Sequence, residues 1–492
     1  MTEAKRPGPD KTEKAPKATK PKAPLHRSHD KRRPEELTAG HDSKRIPYAA
    51  KTSRDQSTKR ISVRPEKQTA ERGSNPKPSS NEYGIGARIS RRAADRLRAG
   101  HVWVYASDME SLEVGDGDAP ALMPVADSRG LLLGTALYSP TSQIALRMVS
   151  REAIDEAAWL ELLTMRLTEA IDRRLPVLRS EEIESDSCRL CFSEADEIPG
   201  LIVDKYGSLV IVQLLAKGLD SAAVRKTIVA TIQQLISPAS ILERPDPRIR
   251  ELEGLSAPVL EPLYAADQRN PMTATEFLLN GLTFHYDANS GQKTGAFLDQ
   301  HTNYRVAQDW ASELAPGGRA LDVCTYQGGF ALHLARVSKR VTGIDASRSS
   351  LEVAERNLAA NRDKLNAEVD WVAGDAFEVL RDWSAAHERF DSIVLDPPAF
   401  AKSKRAVEGA LRGYKELNLR ALQMLRPGGL LVTCSCSHHV SAAEFEAVVA
   451  AAAADAHRRV RLRQRRGAAP DHPVVLNIPE TEYLKCLVLE VE

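Results

Sequence analysis

The segment TCSCSHH, residues 433–439, places two of the chain's six cysteines, Cys434 and Cys436, beside two of its twelve histidines, His438 and His439. Three chemistries use such residues: metal ligation, nucleophilic attack by a thiolate, and simple strand packing. Zinc fits poorly, because structural sites separate ligand pairs by a loop and the adjacent imidazoles would diverge. A free thiol with a pKa of about 8.5 is only slightly ionised at neutral pH, yet its thiolate is a strong nucleophile. A second reactive group lies upstream in LDPP, residues 395–398. Asp396 can accept hydrogen bonds from an exocyclic amine, and Pro397 and Pro398 fix a backbone able to clamp a flat ring.

These residues need a scaffold, and the pattern from Arg319 onward supplies one. Strands are expected at ALDVCT, RVTGIDAS, VDWVAGDA, FDSIVLDPP and GGLLVTCSCS. Helices are expected between them, near 329–336, 349–361, 376–385 and 410–425. Nearly continuous apolar strands alternating with helices imply a parallel sheet covered on both faces. Such sheets bind ligands beyond the C-terminal strand ends, at a switch point. Asp322, Asp345, Asp375 and Asp396 mark four of those ends. Gly328 and Gly329 follow the first, where glycine permits unusual dihedrals and close backbone approach. Asp345 lies 23 residues after Asp322 (345 − 322 = 23), near the spacing of an acid that accepts ribose hydroxyls. A nicotinamide-binding fold would share these features, but the strict G-x-G-x-x-G is absent, and a cofactor without a pyrophosphate has less need of it.

The combined pattern resembles a class I S-adenosylmethionine-dependent methyltransferase. That resemblance implies that Asp322 and its loop, with Thr325, Gly328, Gly329 and Phe330, hold the amino acid part of the cofactor. It implies that Asp345, with Ala346, binds the ribose, and that Asp375, with Ala376, meets the adenine. Asp396 closes the same site, and its DPP loop resembles those of enzymes that methylate planar, nitrogen-bearing rings. Cytosine C5 is an unactivated carbon that becomes nucleophilic only after a thiolate adds at C6, so a cysteine beside the DPP loop would be required.

The rest of the chain sets the context. In 492 residues the net charge is only +1. Residues 1–80, however, hold 21 Lys+Arg against 10 Asp+Glu, leaving 68 − 21 = 47 against 67 − 10 = 57 beyond them. This basic tail has ten prolines and a single aromatic, Tyr48. It cannot bury enough surface to order itself and reads as a solubilising or nucleic-acid-tethering arm. Short apolar runs with frequent turns at 84–150, after a helix near 91–99, suggest a small barrel. A mixed α/β unit follows at 151–272, with a strand–turn–strand about Tyr206-Gly207. The last unit is 275–492. No apolar run reaches membrane-spanning length, and sparse cysteines suggest a reducing compartment, so a cytoplasmic location is expected. Cys188, Cys324 and Cys486 read as small buried hydrophobes. CRLC, residues 188–191, lacks a second metal-binding pair, and its ends would face opposite ways in a strand.

Five stretches, GQKTGAFLDQHTNYR, LDVCTYQGGFALHLA, DSIVLDPPAFAKSK, GYKELNLRALQMLRPGGLLVTCSCS and DHPVVLNIPETEYLK, resemble the ribosomal RNA large subunit methyltransferase I family over about 84–492. The fold so implied is α/β. It comprises a small PUA-like β-barrel, a central α/β domain and a class I Rossmann-like methyltransferase domain with a parallel-rich sheet. The implied activity is transfer of a methyl group to C5 of a cytosine in 23S rRNA. Cys436 matches the family's Ser-Cys-Ser and becomes the expected nucleophile, with Asp396 and Pro397 beside it. Cys434 becomes its packing neighbour. Other RNA cytosine-5 methyltransferases carry a second cysteine for product release where this chain has Pro398; Cys434 is a speculative substitute. Lys293 and Gln300 match a stretch near the methyl donor. Lys293, Lys402, Lys404, Arg412 and Lys415, with Tyr414, are expected to meet RNA. The implied partner is large-subunit rRNA, with no membrane and no metal; a homodimer is compatible. The rivals are methylation of another base or position on this scaffold, and a noncatalytic RNA-binding assembly factor.

Overall fold

The computed structural model describes residues 86–113, 121–178, 184–255, 261–289 and 295–492. The basic tail and Lys293 lie outside them.

The first sheet has six strands, Gly86–Ile89, Trp103–Tyr105, Met109–Glu113, Leu122–Asp127, Leu132–Tyr138 and Ile144–Ser150. Its pairs are antiparallel except that Gly86–Ile89 runs parallel to Leu122–Asp127. Helix Arg91–Arg98 starts where the Ser90 hydroxyl accepts from the Ala93 N–H, and it buries Ala93, Ala94 and Leu97. This is ordinary N-capping of an amphipathic helix.

A five-stranded sheet follows, in the order Tyr264–Ala265, Ser240–Glu243, Leu209–Leu214, Leu201–Tyr206 and Cys188–Phe192. Helices Glu156–Leu178 and Ala222–Ile236 contribute Trp159, Leu163 and Ile228 to its core. The turn after Leu201–Tyr206 is Gly207-Ser208, one residue later than the sequence suggested, because Tyr206 still pairs with Leu209. A bulge corrects a second expectation. Cys188 pairs with Lys205 and Cys191 with Val203, leaving Leu190 between them, so the two thiols share a face. Both are fully buried.

The hairpin Ala274–Leu279/Leu282–Asp287 turns through Asn280-Gly281, both left-handed at φ +52° and +77°. Asn-Gly in a two-residue hairpin has that preference. Its Phe277, Leu279 and Phe284 join the core of the sheet that follows.

That sheet has seven strands, labelled β1 (Arg319–Val323), β2 (Arg340–Asp345), β3 (Glu368–Ala373), β4 (Phe390–Leu395), β5 (Leu425–Ser435), β6 (Val460–Arg466) and β7 (Lys485–Val491). The order is β3-β2-β1-β4-β5-β7-β6. β1 to β5 are parallel, and β7 lies antiparallel between β5 and β6. Alternate residues enter different cores: Ala320, Val394, Leu430 and Val432 face one, and Leu321, Ile393, Leu395 and Leu431 the other. Helices therefore cover both faces, as near-continuous apolar strands require. Chain direction across the sheet reverses between β1 and β4, which opens a crevice at their C-terminal ends. The helix after β4 is Val407–Met424, starting three residues before the expected position.

Candidate active site

The crevice holds a cavity of about 400 Å³. Ten of the residues singled out from sequence line it: Thr325, Gly329, Phe330, Asp345, Ala346, Asp375, Ala376, Asp396, Pro397 and Cys436. Asp322 and Gly328 do not. Asp322 is fully buried beneath the loop after β1. Its Oδ2 accepts from the Thr325 hydroxyl at 2.5 Å and from the Ala331 N–H at 2.9 Å, so it braces the loop against helix Gly329–Ala335. The loop is tightly wound, with Cys324, Tyr326 and Gly328 all at positive φ. Glycine is required at 329, where a Cβ would sit 2.5 Å from the Tyr304 ring.

Asp345 accepts from the Tyr326 N–H at 2.9 Å and the Ser347 N–H at 2.8 Å, one on each oxygen. A carboxylate offers about four lone-pair sites, so two remain for a diol. Asp375 caps helix Ala376–Ala385 with one oxygen, which accepts from Phe377 and Glu378. It is both a cap and a cavity wall. Asp396 accepts from Gln300 Nε2 at 3.0 Å. Asn303 donates to Gln300 Oε1 at 2.7 Å, and Arg466 donates to Asn303 Oδ1 at 2.7 Å. This relay ties the DPP carboxylate to β6.

Cys436 stands one residue past the end of β5, half-buried, with its Sγ 3.9 Å from the Pro397 carbonyl oxygen. Cys434 differs sharply. It is fully buried opposite Cys486 and does not line the cavity. The Cys486 thiol and burial hold its pKa well above the usual thiol value. Cys324, expected to be buried packing, is instead half-buried on the cavity wall; burial pushes its pKa above the usual range. Among the described residues no group of three or more His, Cys, Asp or Glu could hold a metal ion, and no helix is long and apolar enough to cross a membrane.

The cavity's charge decides which cofactor it suits. Asp299, Asp345, Asp375 and Asp396 line it, and no Lys, Arg or His does among the described residues. A pyrophosphate would meet only like charge there. A cofactor carrying a sulfonium and an ammonium, with a ribose diol and a flat amino-purine, meets acceptors and the apolar walls of Ile344, Ala346 and Phe377.

Comparison with known proteins agrees. A PUA-like domain family matches residues 87–151, and an S-adenosylmethionine-dependent methyltransferase family matches residues 264–484. Ribosomal RNA large subunit methyltransferase I of Pseudoalteromonas translucida is 35% identical over 401 residues, covering 80% of this chain and 96% of that one. Its namesake in Tolumonas auensis is 35% identical over 391 residues, covering 79% and 95%. This chain belongs to the ribosomal RNA large subunit methyltransferase I family. Its cofactor is S-adenosylmethionine. A solved structure described as a methyltransferase complexed with SAH has the same fold, with TM-score 0.68 and 19% identity over 82% of this chain and all of that one. A Streptococcus mutans structure described as a SAM-dependent methyltransferase gives 0.67, also at 19% identity, with the same coverage of both chains.

The methyltransferase's basic residues lie outside the cavity. Lys402 and Lys404 are exposed just after the DPP loop. Arg412 is exposed, pairs with Glu408, and lines a shallower recess that shares Phe377 and Phe400 with the cavity. Lys415 pairs with Asp455 at 2.7 Å. Tyr414 corrects the expectation of RNA contact. It is fully buried, and its hydroxyl shares a 2.9 Å hydrogen bond with Ser437 Oγ, beneath the Cys436 turn. His438 and His439 are exposed, and the His438 ring lies 5.5 Å from that of Tyr483. Sequence reasoning missed Asp299, Asn303, Tyr304 and Lys485. They come from segments far from the sheet motifs, and no local pattern marks them.

Burial also gives Asp322 a measurable signature. Desolvation pushes its carboxyl up to about 7, with Asp345 adding to the rise and the Thr325 and Ala331 hydrogen bonds opposing it. An unfolded aspartate titrates near 3.9. The folded state therefore binds more protons between about pH 4 and about 7, and Asp322 costs stability as pH rises through that window. Asp322→Asn keeps an acceptor for Thr325 and Ala331 without the charge. In urea titrations the variant should gain on the wild type, by a few kcal/mol at most, as pH rises from about 4 to about 7. A stability difference independent of pH would refute this assignment.

Proposed function

We propose that this chain methylates C5 of a cytosine in large-subunit ribosomal RNA through a covalent adduct with Cys436. The observation that carries the reading is the placement of Cys436: a half-buried thiol on the wall of the cofactor cavity, against the backbone of the DPP loop. An enzyme methylating an exocyclic nitrogen has no need of a nucleophile there.

The target base flips from its stack into the cavity mouth. Asp396, oriented by Gln300, accepts from its exocyclic amine, and Pro397 and Pro398 border the ring. The Cys436 thiolate adds to C6, forming an S–C6 bond and moving the C5–C6 π pair onto C5. S-adenosylmethionine supplies, when bound, an electrophilic sulfonium methyl for that carbon. Loss of the C5 proton then regenerates the double bond and expels the thiolate. Asp345, Asp375 and the Thr325–Phe330 loop hold the cofactor. The sheet at 86–150, the basic tail, Lys293, Lys402, Lys404, Arg412 and Lys415 supply phosphate affinity that weakens with salt. The setting is the cytoplasm.

The test is mapping of 5-methylcytosine in rRNA from cells with and without the protein. One large-subunit cytosine should lose its methyl group in its absence. An unchanged 5-methylcytosine map, with another base losing its methyl group, would replace this reading with methylation elsewhere on the same RNA.

A further inference from the structure

Cys436 has a buried cation beside it that the chemistry above does not use. Lys485 opens β7 directly opposite Ser435, the residue before Cys436. Its Nζ donates to the carbonyl of Ser437, the residue after Cys436, at 2.7 Å, and to that of Tyr483 at 2.8 Å. The side chain thus brackets the thiol from both sides. It is only 8% exposed. An ammonium has three N–H donors, and two are committed to these carbonyls. No carboxylate lies within ion-pairing distance of Lys485 among the described residues. A buried ammonium without a counter-anion is costly, and such residues are found where the charge is needed.

We propose that Lys485 is a positioning residue that stabilises the Cys436 thiolate and holds the thiol in its reactive place. This rests on Cys436 being the nucleophile. Other groups facing Cys436 oppose ionisation: the Asp396 carboxylate on the DPP loop, and Glu482 just before β7. Tyr414, on helix Val407–Met424, stays a neutral phenol, its pKa raised by burial. The exposed His438 lies two residues on. Lys485 is the buried cation that offsets the carboxylates. Burial pushes its own pKa down, and negative charge at Cys436 pushes it back up. The coupling is reciprocal: an ammonium favoured by a thiolate favours that thiolate equally. The two carbonyl bonds also tie the turn after β5 to the entry of β7, which sets where Sγ stands relative to the DPP loop.

The test is the pH dependence of Cys436 alkylation by iodoacetamide in the full chain, followed by mass spectrometry of its peptide. The wild-type thiol should titrate below the ordinary value of about 8.5. In Lys485→Met the midpoint should rise by about one unit or more, and alkylation near pH 7 should slow ~10-fold. A purely structural lysine would leave the midpoint in place, and superimposable profiles overturn the proposal. If Lys485→Met does not fold, the thiolate absorbance of wild type minus Cys436→Ser decides. A midpoint at or above about 8.5 overturns the proposal, and one below it supports the proposal. Neither measurement involves RNA. Methylation surviving Cys436→Ala would sink the proposed function alone, and an unshifted thiol would sink this inference alone.

Discussion

Cys436→Ala should lower methylation of rRNA by roughly four orders of magnitude or more while leaving S-adenosylmethionine affinity nearly unchanged. Removing a covalent nucleophile has effects of that size, because the uncatalysed alternative is attack by an unactivated ring carbon. The cofactor should still bind, since Asp345, Asp375 and the loop after β1 are untouched. Cys434→Ala is the control. That thiol is fully buried against Cys486 and off the cavity wall, so the variant should lose stability by about 1 kcal/mol and keep its turnover. A third arm uses RNA carrying 5-fluorocytosine, in which the C5 substituent cannot leave as a proton. Wild type should then form a protein–RNA adduct stable to denaturation, and Cys436→Ala should not. Full turnover by Cys436→Ala, or an adduct that maps to Cys434, would refute the assignment.

Asp345→Ala should weaken S-adenosylmethionine binding about 100-fold in calorimetry. The carboxylate does two jobs: it accepts from Tyr326 and Ser347 N–H groups, fixing the loop, and it keeps lone pairs for the ribose. Hydrogen bonds to a charged acceptor are worth about 1.5–3 kcal/mol each, and 2.7 kcal/mol is about 100-fold. Asp375 should matter less, because it is exposed and one oxygen is already engaged as a helix cap. Asp375→Ser separates the two roles. Serine remains a good N-cap, so stability should hold while cofactor affinity drops ~10-fold. Equal affinity in Asp345→Ala and wild type would remove the ribose role from Asp345.

What sequence could disclose follows from how local each signal is. Strands β1 to β5 are legible because burial on both faces writes a nearly unbroken apolar run. Helix 376–385 coincides with the observed Ala376–Ala385 because Asp375 is an unambiguous cap. β6 is not legible. Its sequence, VRLRQRR, reads as a basic surface stretch, and only the fold shows Arg461, Arg463 and Arg465 paired with Glu492, Glu490 and Glu446. Strand-end aspartates betray the cofactor cavity, but the Gln300–Asn303–Arg466 relay spans more than 160 residues and has no local trace. Cys434 and Cys436 share a strand parity, and only the end of β5 at Ser435 separates a sealed thiol from one on the cavity wall. Tyr414 was misassigned for a related reason: helix periodicity places it one residue from Lys415, but cannot show that its hydroxyl is buried on Ser437.

The placement of β7 between β5 and β6 has a consequence for the order of events during synthesis. β5 pairs with β7 through seven consecutive residue pairs, ending at Ser435–Lys485. Roughly fifty residues separate the two, about three to ten seconds of elongation at ordinary bacterial rates. For that interval the strand carrying the nucleophile is an open edge, the kind that recruits stray strands. It also lacks its ammonium neighbour. The newborn enzyme is therefore chemically quiet, and it becomes reactive when the same seven residues that close the sheet deliver Lys485 to the thiol.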